Sequence, residues 1–126
     1  MKTYYNRIGG ETAVRHVVEQ FYNLMDTDPD FAGIRKLHNE SLDGAREKLF
    51  MFLSGWLGGP QLYVEQYGHP RLRARHLPFQ IGISERDQWM NCMLKAMSTL
   101  EIDRGLLQEL TRAFSQTADF MRNKEG

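Results

Sequence analysis

Gly68-His69-Pro70-Arg71-Leu72-Arg73-Ala74-Arg75-His76-Leu77-Pro78-Phe79 is the stretch whose reading decides the fold. Two prolines fence a segment too short for a long helix. Pro70 suits the first position of a helix, where a missing N–H leaves nothing unpaired. Leu77 precedes Pro78, which disfavours the helical region there. About two turns fit between the prolines, and they set His76 near a helix end. Arg71, Arg73 and Arg75 surround it, and Leu72, Leu77 and Phe79 supply an apolar wall. A histidine with an apolar wall and a cationic rim suits a flat, apolar, anionic ligand such as haem. Its iron takes an axial imidazole, and its propionates accept charge-assisted hydrogen bonds.

Plainer readings fit the same residues. A lone histidine near a helix end is commonly a surface or satisfied core residue, and an arginine run is commonly solvated or phosphate-binding. No glycine-rich cradle accompanies residues 71–75, which weighs against phosphate. His38, His69 and His76 lack zinc spacing and have no cysteine pair to assist them.

The rest of the chain narrows the choice. At 126 residues it is long enough to bury a core without staples, and one domain over residues 1–126 is expected. Sixteen basic and sixteen acidic residues balance, so neither nucleic acid nor an anionic membrane is expected as a partner. Cys92 is the single cysteine, which excludes an internal disulfide and fits a reducing compartment. No apolar run approaches the ~20 residues of a membrane span, and no apolar signal region follows Met1, so a cytoplasmic protein is expected.

Periodicity is helical throughout. Val14, Val17, Val18, Phe21, Leu24 and Met25 mark one helix, capped at Thr12 and ended by Asp28-Pro29-Asp30, with Tyr22 beside its stripe. Residues before Gly9-Gly10 read as a lead-in. Phe31, Ile34 and Leu37 allow one or two short turns, followed by His38 in a loop. Ala45, Leu49, Phe52, Leu53 and Trp56 fall at offsets 0, 4, 7, 8 and 11 from a cap at Ser41, and Gly58-Gly59-Pro60 stops that helix. Tyr63 and Tyr67 allow a brief turn. Trp89, Met93, Ala96, Met97 and Leu100 repeat the offsets behind a capping box at Ser84-Glu85-Arg86-Asp87. Asp103 caps a last helix carrying Leu106, Leu107, Leu110, Ala113, Phe114, Thr117 and Met121, with an Ile102–Leu107 staple. The polar tail from Arg122 is expected to fray. No segment alternates like a strand. An all-α domain of four long amphipathic helices follows.

Four features occur in order: the paired glycines before Phe21-Tyr22, Trp56-Leu57-Gly58-Gly59-Pro60, the fenced His69-Pro70…Phe79 segment, and Glu85-Arg86-Asp87-Gln88-Trp89-Met90-Asn91-Cys92-Met93. Together they resemble the group II truncated haemoglobins over roughly residues 5 to 121. The resemblance implies a two-over-two helical sandwich around haem b, with His76 as the iron ligand and His69 structural. On the other haem face it implies Tyr22 and Trp89 as hydrogen-bond donors to a bound diatomic ligand. His38 corresponds to the variable distal position, with Leu37 as the rival register. Ala45 stands where many globins carry a polar distal residue. Leu49, Phe52 and Trp56 would wall the haem with Leu72, Phe79 and Ile81. Lys48 and Arg75 would meet the propionates, with Arg73 a weaker candidate.

The function so implied is reversible binding of dioxygen in a pocket with two or three donors, hence slow release. The alternative is a haem enzyme, turning over nitric oxide or acting on peroxide. Carbon monoxide is a further expected ligand. No flavin or nicotinamide domain is visible, so redox turnover would draw on an unknown external reductase. No output domain supports a sensor. Monomer and homodimer both stay open.

Overall fold

The computed structural model describes residues 2–124, and every described element is helical. Four long helices carry the architecture: α2 (Gly10–Thr27), α4 (Asp43–Trp56), α7 (Ile83–Met97) and α8 (Arg104–Phe120). Shorter elements are α1 (Tyr4–Ile8), a 3₁₀ turn (Pro29–Phe31), α3 (Ala32–Arg35), α5 (Leu62–Tyr67) and α6 (Leu72–His76). α2 packs on α4 and on α7, and α7 packs on α8, which gives the two-over-two sandwich. The stripes read by periodicity meet at the centre. Val14, Val18 and Phe21 of α2 are buried with Met93, Ala96 and Met97 of α7 and Leu106 and Leu110 of α8. Cys92 is fully buried there, its thiol donating to the Phe21 carbonyl at 3.2 Å. Burial pushes that thiol up to about 12, so it is a core residue without reactivity.

The helix ends depart from the sequence reading. The lead-in is itself a helix, α1, capped by Thr3, whose hydroxyl accepts the Asn6 N–H. α2 begins at Gly10 instead of after Thr12. Gly9 (φ 122°) and Gly10 (φ 73°) take a conformation that side chains resist, so α1 turns directly into α2 without a side-chain cap. Leu42, not Ser41, holds the cap position of α4, while the Ser41 hydroxyl accepts the Asp43 N–H at 3.3 Å. α7 starts at Ile83, one residue before the expected box, and Glu85 reaches back to accept the Gly82 N–H at 2.8 Å. Asp103 caps α8 as read, accepting the Leu106 N–H at 2.8 Å.

The fenced segment also differs in detail. α6 starts at Leu72, so Pro70 lies before the cap residue and not at the first helical position. The cap residue Arg71 is left-handed (φ 48°, ψ 53°), and its N–H donates to His69 Nδ1 at 3.1 Å. His69 thus contacts the cap residue of α6 through its Nδ1. Leu77 is helical (φ −55°, ψ −36°) in spite of Pro78, because its N–H completes the turn to the Arg73 carbonyl at 3.1 Å. The tail does not fray at Arg122 and Asn123. Both are half-buried, and Asn123 hydrogen-bonds to the loop between α6 and α7.

Candidate functional site

Among the described residues the sandwich encloses an apolar cavity of about 320 Å³, walled by α2, α4, α6, α7 and α8. Each wall follows from a local pattern. Tyr22 is buried on α2 beside Phe21 and lines the cavity. Leu49, Phe52, Leu53 and Trp56 line it from successive turns of α4. α6 contributes Leu72 and His76, and the following loop contributes Phe79 and Ile81. Trp89 comes from the second turn of α7. Leu37 and His38, the two rival registers, both line the cavity from the turn after α3.

The aromatic wall is continuous. Trp56 stacks on Phe114 with ring centroids 4.7 Å apart, Phe114 meets Trp89 at 5.8 Å, and Trp89 meets Phe21 at 5.4 Å. Tyr22 stands edge-on to His38 at 5.8 Å.

Two imidazoles reach this cavity in defined tautomers. His76 Nδ1 lies 2.6 Å from the Leu72 carbonyl oxygen, and His38 Nδ1 lies 2.9 Å from that of Ile34. A carbonyl only accepts, so each Nδ1 carries a proton and Nε2 is the nitrogen left free to accept or to ligate. Neither Nε2 has a partner among the described residues. For His38, burial lowers the pKa below the usual imidazole range, which keeps the ring neutral at pH 7. Burial raises the Tyr22 phenol above its usual value, opposed more weakly by Arg46, so the phenol keeps its proton. Its hydroxyl has no hydrogen-bond partner among the described residues, and neither does the Trp89 indole N–H.

The expected cations do not line the cavity. Lys48 is exposed, with its ammonium 5.8 Å from the Tyr67 ring. Arg75 is exposed and donates from Nε to the Pro70 carbonyl at 2.8 Å. Arg73 donates from Nη1 to the Phe120 and Arg122 carbonyls at 2.8 and 3.3 Å, which ties α6 to the end of α8. Ala45 is half-buried against the core and is not in the lining.

Conversely, Ala118 lines the cavity without any sequence signal, Ile34 was marked only as part of a short turn, and Glu85 and Arg86 only within the capping box and the ordered motif. Leu53, Phe114, Thr117 and Met121 also line it, and periodicity had marked them only as core. Glu85 and Arg86 face partners of their own: Glu85 binds the Gly82 N–H, and Arg86 pairs with Asp87 and Asp119. A second concavity between Phe50, Met51, Leu62 and Tyr67 is a surface dent rimmed by Glu47 and Glu65. It holds neither histidine nor cysteine.

An all-helical two-over-two sandwich enclosing an apolar, histidine-bearing cavity defines the truncated globin class. The family model described as bacterial-like globin matches residues 3–123. The chain belongs to the bacterial-like globin family and stands, within it, with the group II truncated haemoglobins. It is 42% identical to the cold-adapted truncated haemoglobin of the Antarctic marine bacterium Pseudoalteromonas haloplanktis TAC125. That comparison covers 98% of this chain and 99% of the other, with a TM-score of 0.94. The group II 2-on-2 haemoglobin of Agrobacterium tumefaciens is 39% identical, with a TM-score of 0.95 over 100% of this chain and 97% of that one. The group 2 truncated haemoglobin YjbI of Bacillus subtilis (strain 168) is 35% identical over 115 residues, 91% of this chain and 85% of its own.

The globin family implies haem, and the residues present fit one. The cavity is apolar and aromatic, and Phe79 in its lining is 41% exposed. His76 offers an unpartnered Nε2 with its tautomer fixed by the Leu72 carbonyl, the arrangement that metal-ligating histidines adopt.

Proposed function

We propose that the chain is a single globin domain that binds haem b through His76 and reversibly binds dioxygen in the cavity. The observation that carries this reading is the His76 tautomer: Nδ1–H donates to the Leu72 carbonyl at 2.6 Å, and Nε2 is left for the metal. When bound, haem would supply a redox-active iron able to take a diatomic ligand.

The chain's own residues then do three things. Leu49, Phe52, Trp56, Leu72, Phe79 and Ile81 bury the macrocycle and exclude water. Tyr22 and Trp89 offer an O–H and an N–H to a ligand carrying partial negative charge. His38 offers an acceptor at neutral pH and becomes a donor only when protonated. The pocket thus presents two donors at pH 7, and His38 adds a third under acid. Lys48 and Arg75 serve the propionate edge from outside the lining, where exposed ion pairs contribute little.

The test is the absorption spectrum of the purified protein, ferric, ferrous and ferrous with carbon monoxide, beside His76→Ala. The expected result is a Soret band with histidine-ligated ferrous and carbon monoxide spectra that the variant loses or alters. If added haem binds no better than to an unrelated protein, the reading fails.

A further inference from the structure

Helix α6 is five residues long, buries no residue of its own and has no side-chain cap at its start. Its bearing on the cavity must come from outside the helix. The most extensive tie is made by Asn123, in the tail beyond α8. Asn123 Nδ2 donates to the carbonyl of His76 at 3.2 Å and to that of Phe79 at 2.8 Å. Its Oδ1 accepts the Ile81 N–H at 2.9 Å, and its own N–H donates to the Ile81 carbonyl at 2.8 Å. The amide orientation is unambiguous. Reversing it would set oxygen against two carbonyls and nitrogen against an N–H.

One side chain therefore binds three residues of the loop leaving α6: the histidine itself and two residues whose side chains line the cavity. Arg73 adds a parallel tie from α6 to the Phe120 and Arg122 carbonyls. Without Asn123, the Phe79 N–H at 3.0 Å is the remaining bond to the His76 carbonyl.

We propose that Asn123 is a positioning residue for His76. It clamps the carbonyl end of the histidine to the end of α8, which sets how the imidazole meets the metal and how firmly haem is held. This rests on the reading of His76 as the axial ligand.

The test compares the holoprotein with Asn123→Ala, Asn123→Asp, His76→Ala and the control Lys124→Ala. Asn123→Asp keeps an acceptor for the Ile81 N–H but removes both donors. Lys124→Ala keeps the backbone bond to Ile81. Three readouts are taken: haem transfer from the ferric protein to an excess of scavenging apoglobin, the iron–histidine stretching band of the ferrous protein, and hydrogen exchange of amides 77–82. Both Asn123 variants should lose haem about tenfold faster or more, since Asn123→Asp removes two hydrogen bonds and Asn123→Ala three. They should also shift or broaden the band and exchange faster across 77–82, while Lys124→Ala matches the parent. Asn123 variants that fold but retain no haem are the stronger form of the same result. If exchange rises while the band and haem transfer match Lys124→Ala, the role is only structural and the proposal is overturned. A band that persists in His76→Ala would instead overturn the axial-ligand reading. A band lost in His76→Ala but untouched by the Asn123 variants would overturn the clamp alone.

Discussion

Tyr22 shows how one side chain connects burial to chemistry. Its phenol is 5% exposed, is held protonated by burial, and has no described protein partner for its hydroxyl. A hydrogen bond to a charge-bearing ligand contributes about 1.5–3 kcal/mol. Tyr22→Phe should therefore release dioxygen about tenfold to a hundredfold faster, measured by stopped-flow displacement, with Trp89→Phe acting in the same direction. Unchanged rates in both variants would remove the two donors from the account. Arg71 carries a different prediction. A left-handed non-glycine residue costs on the order of 1 kcal/mol, and Arg71 has no described side-chain hydrogen bond or ion pair. Arg71→Gly should leave stability level or raise it by up to about 1 kcal/mol in a urea titration, part of the gain being offset by glycine's extra freedom when unfolded. At this scale the sequence was informative for apolar and aromatic positions. Leu49, Phe52, Trp56 and Trp89 line the cavity because helical spacing fixes which residues share a face. Lys48 and Arg75 stand outside the lining, and helical spacing does not fix where they reach, since a long cation is not held to the face of its Cα.

The long elements were legible as helices, and Asp103 caps α8 as read, while the caps of α4 and α7 fall one and two residues from the expected serines. What a punctuating residue packs against is not a local property. Gly59 is the clearest case. Gly58-Gly59-Pro60 reads as a stop signal, but the reason for Gly59 lies in another element. A Cβ built there would approach the Tyr5 ring of α1 to 2.4 Å. The Tyr5 N–H also donates to the Leu57 carbonyl at 2.8 Å, seating α1 on the end of α4. Gly59→Ala should overpack this contact and lower stability by about 1–3 kcal/mol by urea denaturation. Gly44→Ala is the matched control, because nothing lies within 4 Å of a Cβ there. Equal effects at the two glycines would show that the α1 contact is not what Gly59 serves.

Across the whole molecule, the cavity couples stability to pH. Burial penalises the charged ring and holds the His38 pKa below the usual imidazole value of about 6.5. The unfolded chain therefore binds more protons than the folded one as pH falls through about 6.5. Stability is fully present above that pH and is lost below it, until the folded ring titrates too. Urea midpoints of the haem-free protein should fall between pH 7 and pH 5, and His38→Phe should flatten this decline. A slope that His38→Phe leaves unaltered would place its origin in other groups.

The sequence by itself determined the helical class, the buried stripes and the segment that presents His76, because periodicity and proline punctuation are local properties of the chain. Only the tertiary structure decided that Asn123 returns to clamp the His76 loop and that His38 presents an acceptor. It alone also brought Glu85 and Arg86 to the cavity wall. Those facts depend on which carbonyls and side chains distant segments bring within hydrogen-bond range, and no spacing along the chain records that.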